Sequence, residues 1–165
     1  MKREKAKKNV IRISVCAMLV GVSVIVGYVC REYLTFGTFV RVTFENLPII
    51  LSGILFGPVS GAAVGICTDL ISSVMSAQNI NPIITLGAAS VGLVSGCAIK
   101  FFGNKKRYIL SSTLACIFSH VVGSLVIKTF GLKLYYFPDV SFWYLFAIRL
   151  GVYTLICASE CAILV

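Results

Sequence analysis

Four ionisable side chains interrupt otherwise apolar sequence: Asp69, His120, Arg149 and Glu160. Such groups are costly inside a membrane span and are tolerated where they face a cavity or a partner. Asp69 and Arg149 have recognisable binding chemistry. A carboxylate accepts two hydrogen bonds from an amidine-like ring edge, and a guanidinium clamps a carboxylate bidentately. The alternative is that the two pair with each other. His120 reads as a satisfied interior histidine. Glu160 and Lys100 read as interface residues whose charges snorkel toward water. No nucleophile–base pairing, phosphate-binding loop or GxSxG accompanies them, so these residues point to binding rather than catalysis.

Further polar and aromatic groups fall between the apolar runs. "QNINP" supplies the amides of Gln78, Asn79 and Asn81, which are turn or capping residues by default. "LYYFPDVSFWY" is an interfacial aromatic belt by composition. It also offers Tyr135, Tyr136, Phe137 and Trp143 as a stacking surface for a flat ligand. From Thr38, the residues Phe39, Val40, Arg41, Val42, Thr43 and Phe44 are β-branched or aromatic apart from the arginine. That pattern predicts an extended segment, which must pack on protein or line a cavity because its backbone cannot face lipid.

Seven cysteines stand at 16, 30, 67, 97, 116, 157 and 161, with no CxxC. Cys157 and Cys161 are one helical turn apart, the spacing of a metal-ligand pair. With a lone His120 and no Cys/His cluster nearby in sequence, the cysteines read instead as small packing residues, and no metal is expected.

These residues must be positioned by elements that live in lipid. Of 165 residues, 58% are hydrophobic and 13% charged, against about 45–50% and 25% in soluble domains. The net charge of +9 is concentrated in Lys2, Arg3, Lys5, Lys7, Lys8 and Arg12 and in Lys105-Lys106-Arg107. Blocks beside apolar segments are orientation signals, not a nucleic-acid surface. Val10–Cys30 is long enough to span and lacks a small-residue cleavage site, so it reads as a retained helix. Val59–Ala77, Ile83–Phe102, Ile109–Thr129 and Phe142–Val165 are also of spanning length. Leu47–Phe56 reaches only about 15 Å and must be shielded by its neighbours. Counting it as a helix puts the Lys105-Lys106-Arg107 loop on the same side as the basic N-terminus. The positive-inside rule then predicts six helices with both termini cytoplasmic. Arg31–Glu45, Gln78–Pro82 and Lys128–Ser141 become outer loops. No halves related by hydropathy symmetry are visible, which weighs against an inverted-repeat secondary carrier.

Small residues mark close approaches. Gly53 with Gly57, and Gly61 with Gly65, form two small-xxx-small pairs on either side of a Gly57-Pro58 turn. Ala17 and Gly21 form another on the first helix, suited equally to internal packing or to docking a partner protein.

"RVTFENLPIILSGILFGPVSGAAVG" (41–65), followed by Asp69-Leu70-Ile71, Asn81-Pro82 and Thr85-Leu86-Gly87-Ala88, resembles the substrate-binding S components of energy-coupling factor (ECF) vitamin transporters, nearest the folate-specific branch. The resemblance runs from Val10 through the last helix and is densest from Arg41 to Gly96. It implies an all-α, single-domain, non-enzymatic membrane protein of six transmembrane helices in the plasma membrane of a bacterium. Such a protein captures folate or a related vitamin at the outer face and delivers it with a transmembrane coupling subunit and two ATPase subunits. It also implies that Ala17 and Gly21 dock the coupling subunit. Where the family often shows Pro-Gly-Phe-Thr, this chain has Pro82-Ile83-Ile84-Thr85 and lacks the aromatic. The expected substrate-binding residues are Arg41, Phe44, Asn46, Asp69, Asn79, Asn81, Thr85, Trp143 and Arg149, with no cofactor. The rival readings are an S component for another vitamin or a queuosine precursor, and a self-contained secondary carrier.

Overall fold

A computed structural model describes residues 2–36, 40–76, 80–103 and 108–164. Asn79 and the Lys105-Lys106-Arg107 loop lie outside the described residues. Six helices form the bundle: α1 (Lys2–Tyr33), α2 (Asn46–Phe56), α3 (Pro58–Met75), α4 (Pro82–Phe102), α5 (Tyr108–Tyr135) and α6 (Phe142–Leu164). All except α2 are long and apolar enough to cross a membrane. Large apolar side chains such as Met18, Val59, Phe101 and Leu155 stand exposed on the outside of the bundle. In a soluble protein that surface would be a liability; in lipid it is the solvent-facing side. The protein is an all-α, multi-pass membrane protein.

The short α2 survives because it is surrounded. It packs on α1, α3, α4 and α5, and Ile49, Ile50, Ser52 and Gly53 are buried. Ile49, Ile50 and Ile54 form the main apolar core with Val64, Val91, Ala98, Ala115 and Cys116. Pro48 sits in the first turn of α2 and Pro58 opens α3, where a missing N–H costs little. Gly57 between them has φ 89°, a left-handed conformation that glycine adopts without a Cβ penalty. Arg12 closes this end of the bundle, donating through its guanidinium to the Phe56 carbonyl at 2.6 Å and to Ser60 Oγ.

The expected glycine pairs are rearranged. Gly57 serves the turn, whereas Gly53, Gly61 and Gly65 all face α4. An added Cβ at Gly61 would overlap the Gly92 backbone, and one at Gly92 would overlap Gly61. α3 and α4 therefore touch backbone to backbone, the contact that small residues permit in lipid.

Two boundaries differ from the apolar count. α1 continues into the basic tail, and α5 runs to Tyr135, so Lys128 and Thr129 are buried helical residues rather than the start of a loop. Apolar counting marks where lipid contact ends, and a helix can extend beyond that. Within α5, His120–Ile127 is wound as a π-helix, a widening common at functional sites. Between α1 and α2, Thr35–Phe36 and Val40–Arg41 are extended and pair antiparallel, with Thr35 opposite Arg41 and Phe36 opposite Val40.

Candidate functional site

A cavity of about 250 Å3 opens at the end of the bundle away from the Gly57–Pro58 turn. α3 contributes Thr68, Asp69, Ser72 and Ser73 to its wall, and α5 contributes Lys128, Leu132 and the nearby Tyr136 and Phe137. α6 adds Arg149 and Tyr153, the last turn of α1 adds Arg31, and the α1–α2 connection adds Thr35, Thr43 and Glu45. Asn81 sits at the head of α4, where its Oδ1 accepts from the N–H groups of Ile83 and Ile84 at 3.0 and 3.4 Å. That is an N-cap. Its Nδ2 is buried without a protein partner.

The charged groups of the wall have distinct supports. Lys128 is 5% exposed; its Nζ lies 3.5 Å from Glu45 Oε1 and 3.2 Å from Asn46 Oδ1. Asn46 in turn donates to Ser124 Oγ at 3.2 Å. Asp69 Oδ2 accepts from Thr85 Oγ1 at 2.6 Å. Arg149 donates to the Ser124 carbonyl at 3.1 Å and to Tyr153 Oη at 3.2 Å, and its guanidinium carbon lies 5.1 Å from the Tyr153 ring centroid. Asp69 and Arg149 thus have separate partners and form no ion pair with each other. Lys128 and Glu45 pair with each other, and Arg31, Asp69 and Arg149 line the same cavity.

Beyond the ion pairs, several polar atoms of this wall are unspent. Thr68 Oγ1, Ser72 Oγ, Asn81 Nδ2 and Arg149 Nε are buried without a protein hydrogen-bond partner. Buried polar atoms are ordinarily satisfied, so a concentration of unsatisfied ones around one cavity is what a polar ligand would complete.

The nine expected binding residues fall into four groups. Asp69, Asn81 and Arg149 line the cavity. Thr85 and Asn46 stand one bond behind it, on Asp69 and Lys128 respectively. Phe44 packs with Leu125, Tyr153 and Ile156 beneath the wall, whereas Trp143 is 75% exposed and stacks edge-on against Phe142 and Phe146. Arg41 is placed only through its backbone, and Asn79 lies outside the described residues. The sequence reading missed Arg31, Lys128 and Tyr153. Lys128 had a detectable signal, a lysine at the edge of an apolar run with Glu45 as an available counter-charge. Tyr153 had another, its i+4 spacing from Arg149 on one helix.

One expectation about α6 is overturned. Glu160 is fully buried rather than snorkelling, and its Oε2 lies 2.5 Å from His120 Nε2. Cys116, Cys157 and Cys161 pack in or against the apolar core as small residues, and their sulfurs also converge on one place between α5 and α6. The spacing within each helix was visible, but the pairing of α5 with α6 was not.

A polytopic helical protein with a polar, charge-lined cavity at one end is a membrane-embedded small-molecule binder. The model of the family described as "ECF transporter, substrate-specific component" matches residues 12–165, and the chain belongs to that family. It is therefore the substrate-binding subunit of a transporter rather than an enzyme, and it acts with an ECF coupling module on a vitamin-type substrate. No curated protein matches the chain.

Proposed function

We propose that this chain captures folate, or a vitamin built like it, in the Asp69–Arg149 cavity and hands it to an ATP-driven coupling module. The observation that carries this reading is the set of unsatisfied buried polar atoms around a cavity that also holds the Asp69 carboxylate, the paired Glu45 and Lys128, two arginines and aromatic rings. Folate presents a flat aminopyrimidine-containing ring, a second aromatic ring and a carboxylate-bearing tail. Asp69 accepts from the aminopyrimidine edge, with Asn81 and Ser72 within the same wall. Arg149 or Arg31 meets a tail carboxylate, and Tyr136, Phe137 and Tyr153 supply aromatic faces. The cavity faces the outside and both termini lie in the cytoplasm, in keeping with the basic N-terminal tail at the opposite end.

Equilibrium binding of a vitamin panel to the purified protein tests the assignment. Folate is expected to bind most tightly. Asp69→Asn and Arg149→Ala should each weaken it by about 30-fold or more, the equivalent of roughly 2 kcal/mol for a lost buried charged bond. Unchanged folate affinity in both variants would refute this site. Tighter binding of another vitamin or of a queuosine precursor would keep the cavity and replace the ligand.

A further inference from the structure

Away from the cavity, α5 and α6 bring five ligating side chains together at mid-bundle. Cys116 and His120 are four residues apart on α5, and Cys157 and Cys161 are four apart on α6, so each pair shares one helix face. Glu160 lies beside them. The ligand atoms of Cys116, Cys157 and Cys161 all lie within 4.8 Å of one another, as do those of Cys116, His120 and Glu160. Cys116 Sγ is 3.9 Å from Cys157 Sγ and 3.7 Å from Glu160 Oε2. Two thiolates held at about 2.3 Å by a tetrahedral ion stand about 3.8 Å apart, so one tetrahedron edge is already present.

Packing alone does not explain this cluster. His120 Nδ1 and Glu160 Oε1 are both buried without a hydrogen-bond partner, an arrangement that is unfavourable in lipid unless something completes it. The cluster also borders open space. A second cavity of about 420 Å3, lined by His120, Cys157 and Cys161 among apolar residues, lies between α5 and α6. Its neighbours Ile117, Val121 and Leu150 are exposed on the bundle's outside.

We propose that Cys116, Cys157 and Cys161 bind one thiophilic d10 divalent ion of the zinc or cadmium class, with the His120–Glu160 pair completing the shell. One member of that pair ligates and the other orients it. Each cysteine gives up its thiol proton on ligation, so binding releases up to three protons per ion. The ion ties α5 to α6 at a place separate from the vitamin cavity.

Titrating the reduced, detergent-purified protein with Cd2+ while recording thiolate-to-metal charge-transfer absorption tests the site. Saturation at one ion per chain is expected, with Zn2+ competing. The Cys116→Ser/Cys157→Ser/Cys161→Ser variant should lose the band, and Glu160→Gln should bind about 10–100-fold more weakly. Cys16→Ser/Cys67→Ser/Cys97→Ser should titrate as the unaltered protein does. A measurement on the unaltered protein needs no folded variant. Bound Zn2+ should slow alkylation of Cys116, Cys157 and Cys161 at least tenfold, read by peptide mass spectrometry, while Cys67 reacts as before. Absence of a saturable band, an unchanged band in the triple-serine variant, or unprotected cluster cysteines would each overturn the proposal.

Discussion

At the scale of single residues, the cavity depends on charges whose partners come from distant segments. Lys128 holds Glu45 and Asn46 from 83 and 82 residues away. Removing it takes one cation from a largely buried carboxylate and an amide oxygen, a loss that commonly exceeds the net worth of the pair itself. Lys128→Met is expected to destabilise the protein by about 2 kcal/mol or more, read as a lower thermal midpoint in detergent. Glu45→Gln with Lys128→Met should cost less than the sum of the single changes, and strict additivity would show that the two groups are not coupled. Legibility at this scale followed chemistry rather than geometry. Asp69 and Arg149 stood out because a charge in an apolar run is costly whatever surrounds it. That they face one cavity without pairing depends on which side of α3 and α6 is buried, and a periodicity broken by lipid-facing apolar residues does not encode that. Glu160 misled for the same reason: placed near the cytoplasmic side of the last span it reads as water-seeking, and only the approach of His120 from α5 makes burial tolerable.

At the scale of elements, the helices were readable to within a turn or so at α2, α3, α4 and α6, because apolar length and the helix-starting residues Pro58, Asn81 and Pro82 agree. α5 was cut short because Lys128-Thr129 begins a less apolar stretch, and hydropathy cannot distinguish a helix leaving lipid from one turning a polar face inward. The glycine spacing was seen, but its use was not. Four-residue repeats on both sides of a turn suggested separate contacts, whereas α2 and α3 lay their small residues against the same helix, α4. The consequence is testable. Gly61→Val drives a branched side chain into the Gly92 backbone and, at a typical overpacking cost of about 1–3 kcal/mol, should lower the thermal midpoint by roughly 2–12 °C. Gly21 has no atom within 4 Å of an added Cβ, so Gly21→Leu should leave that midpoint unchanged. Equal effects of the two would mean that the α3–α4 contact is not what holds these helices together.

For the whole molecule, the absence of internal contacts at Gly21 becomes informative in another way. Ala17 and Gly21 lie exposed on α1, on the side of the bundle away from α4, and a substrate-specific component has to meet its coupling module through some face in the bilayer. We infer that this small-residue face is the one, since a smooth helix surface allows a second helix to approach closely without displacing side chains. On this inference cavity and docking face are separable even along α1: Arg31 in its last turn lines the cavity, whereas Ala17 and Gly21 do not. Ala17→Leu/Gly21→Leu should therefore retain vitamin affinity within about twofold, since the changed residues touch no part of the cavity wall, yet abolish ATP-dependent uptake when reconstituted with the subunits of the coupling module. Without those subunits, proteoliposomes containing the unaltered chain should bind vitamin but accumulate none. Accumulation under those conditions would make the protein a self-contained carrier. Undiminished ATP-dependent uptake by the double-leucine variant would instead move the docking surface off this face of α1.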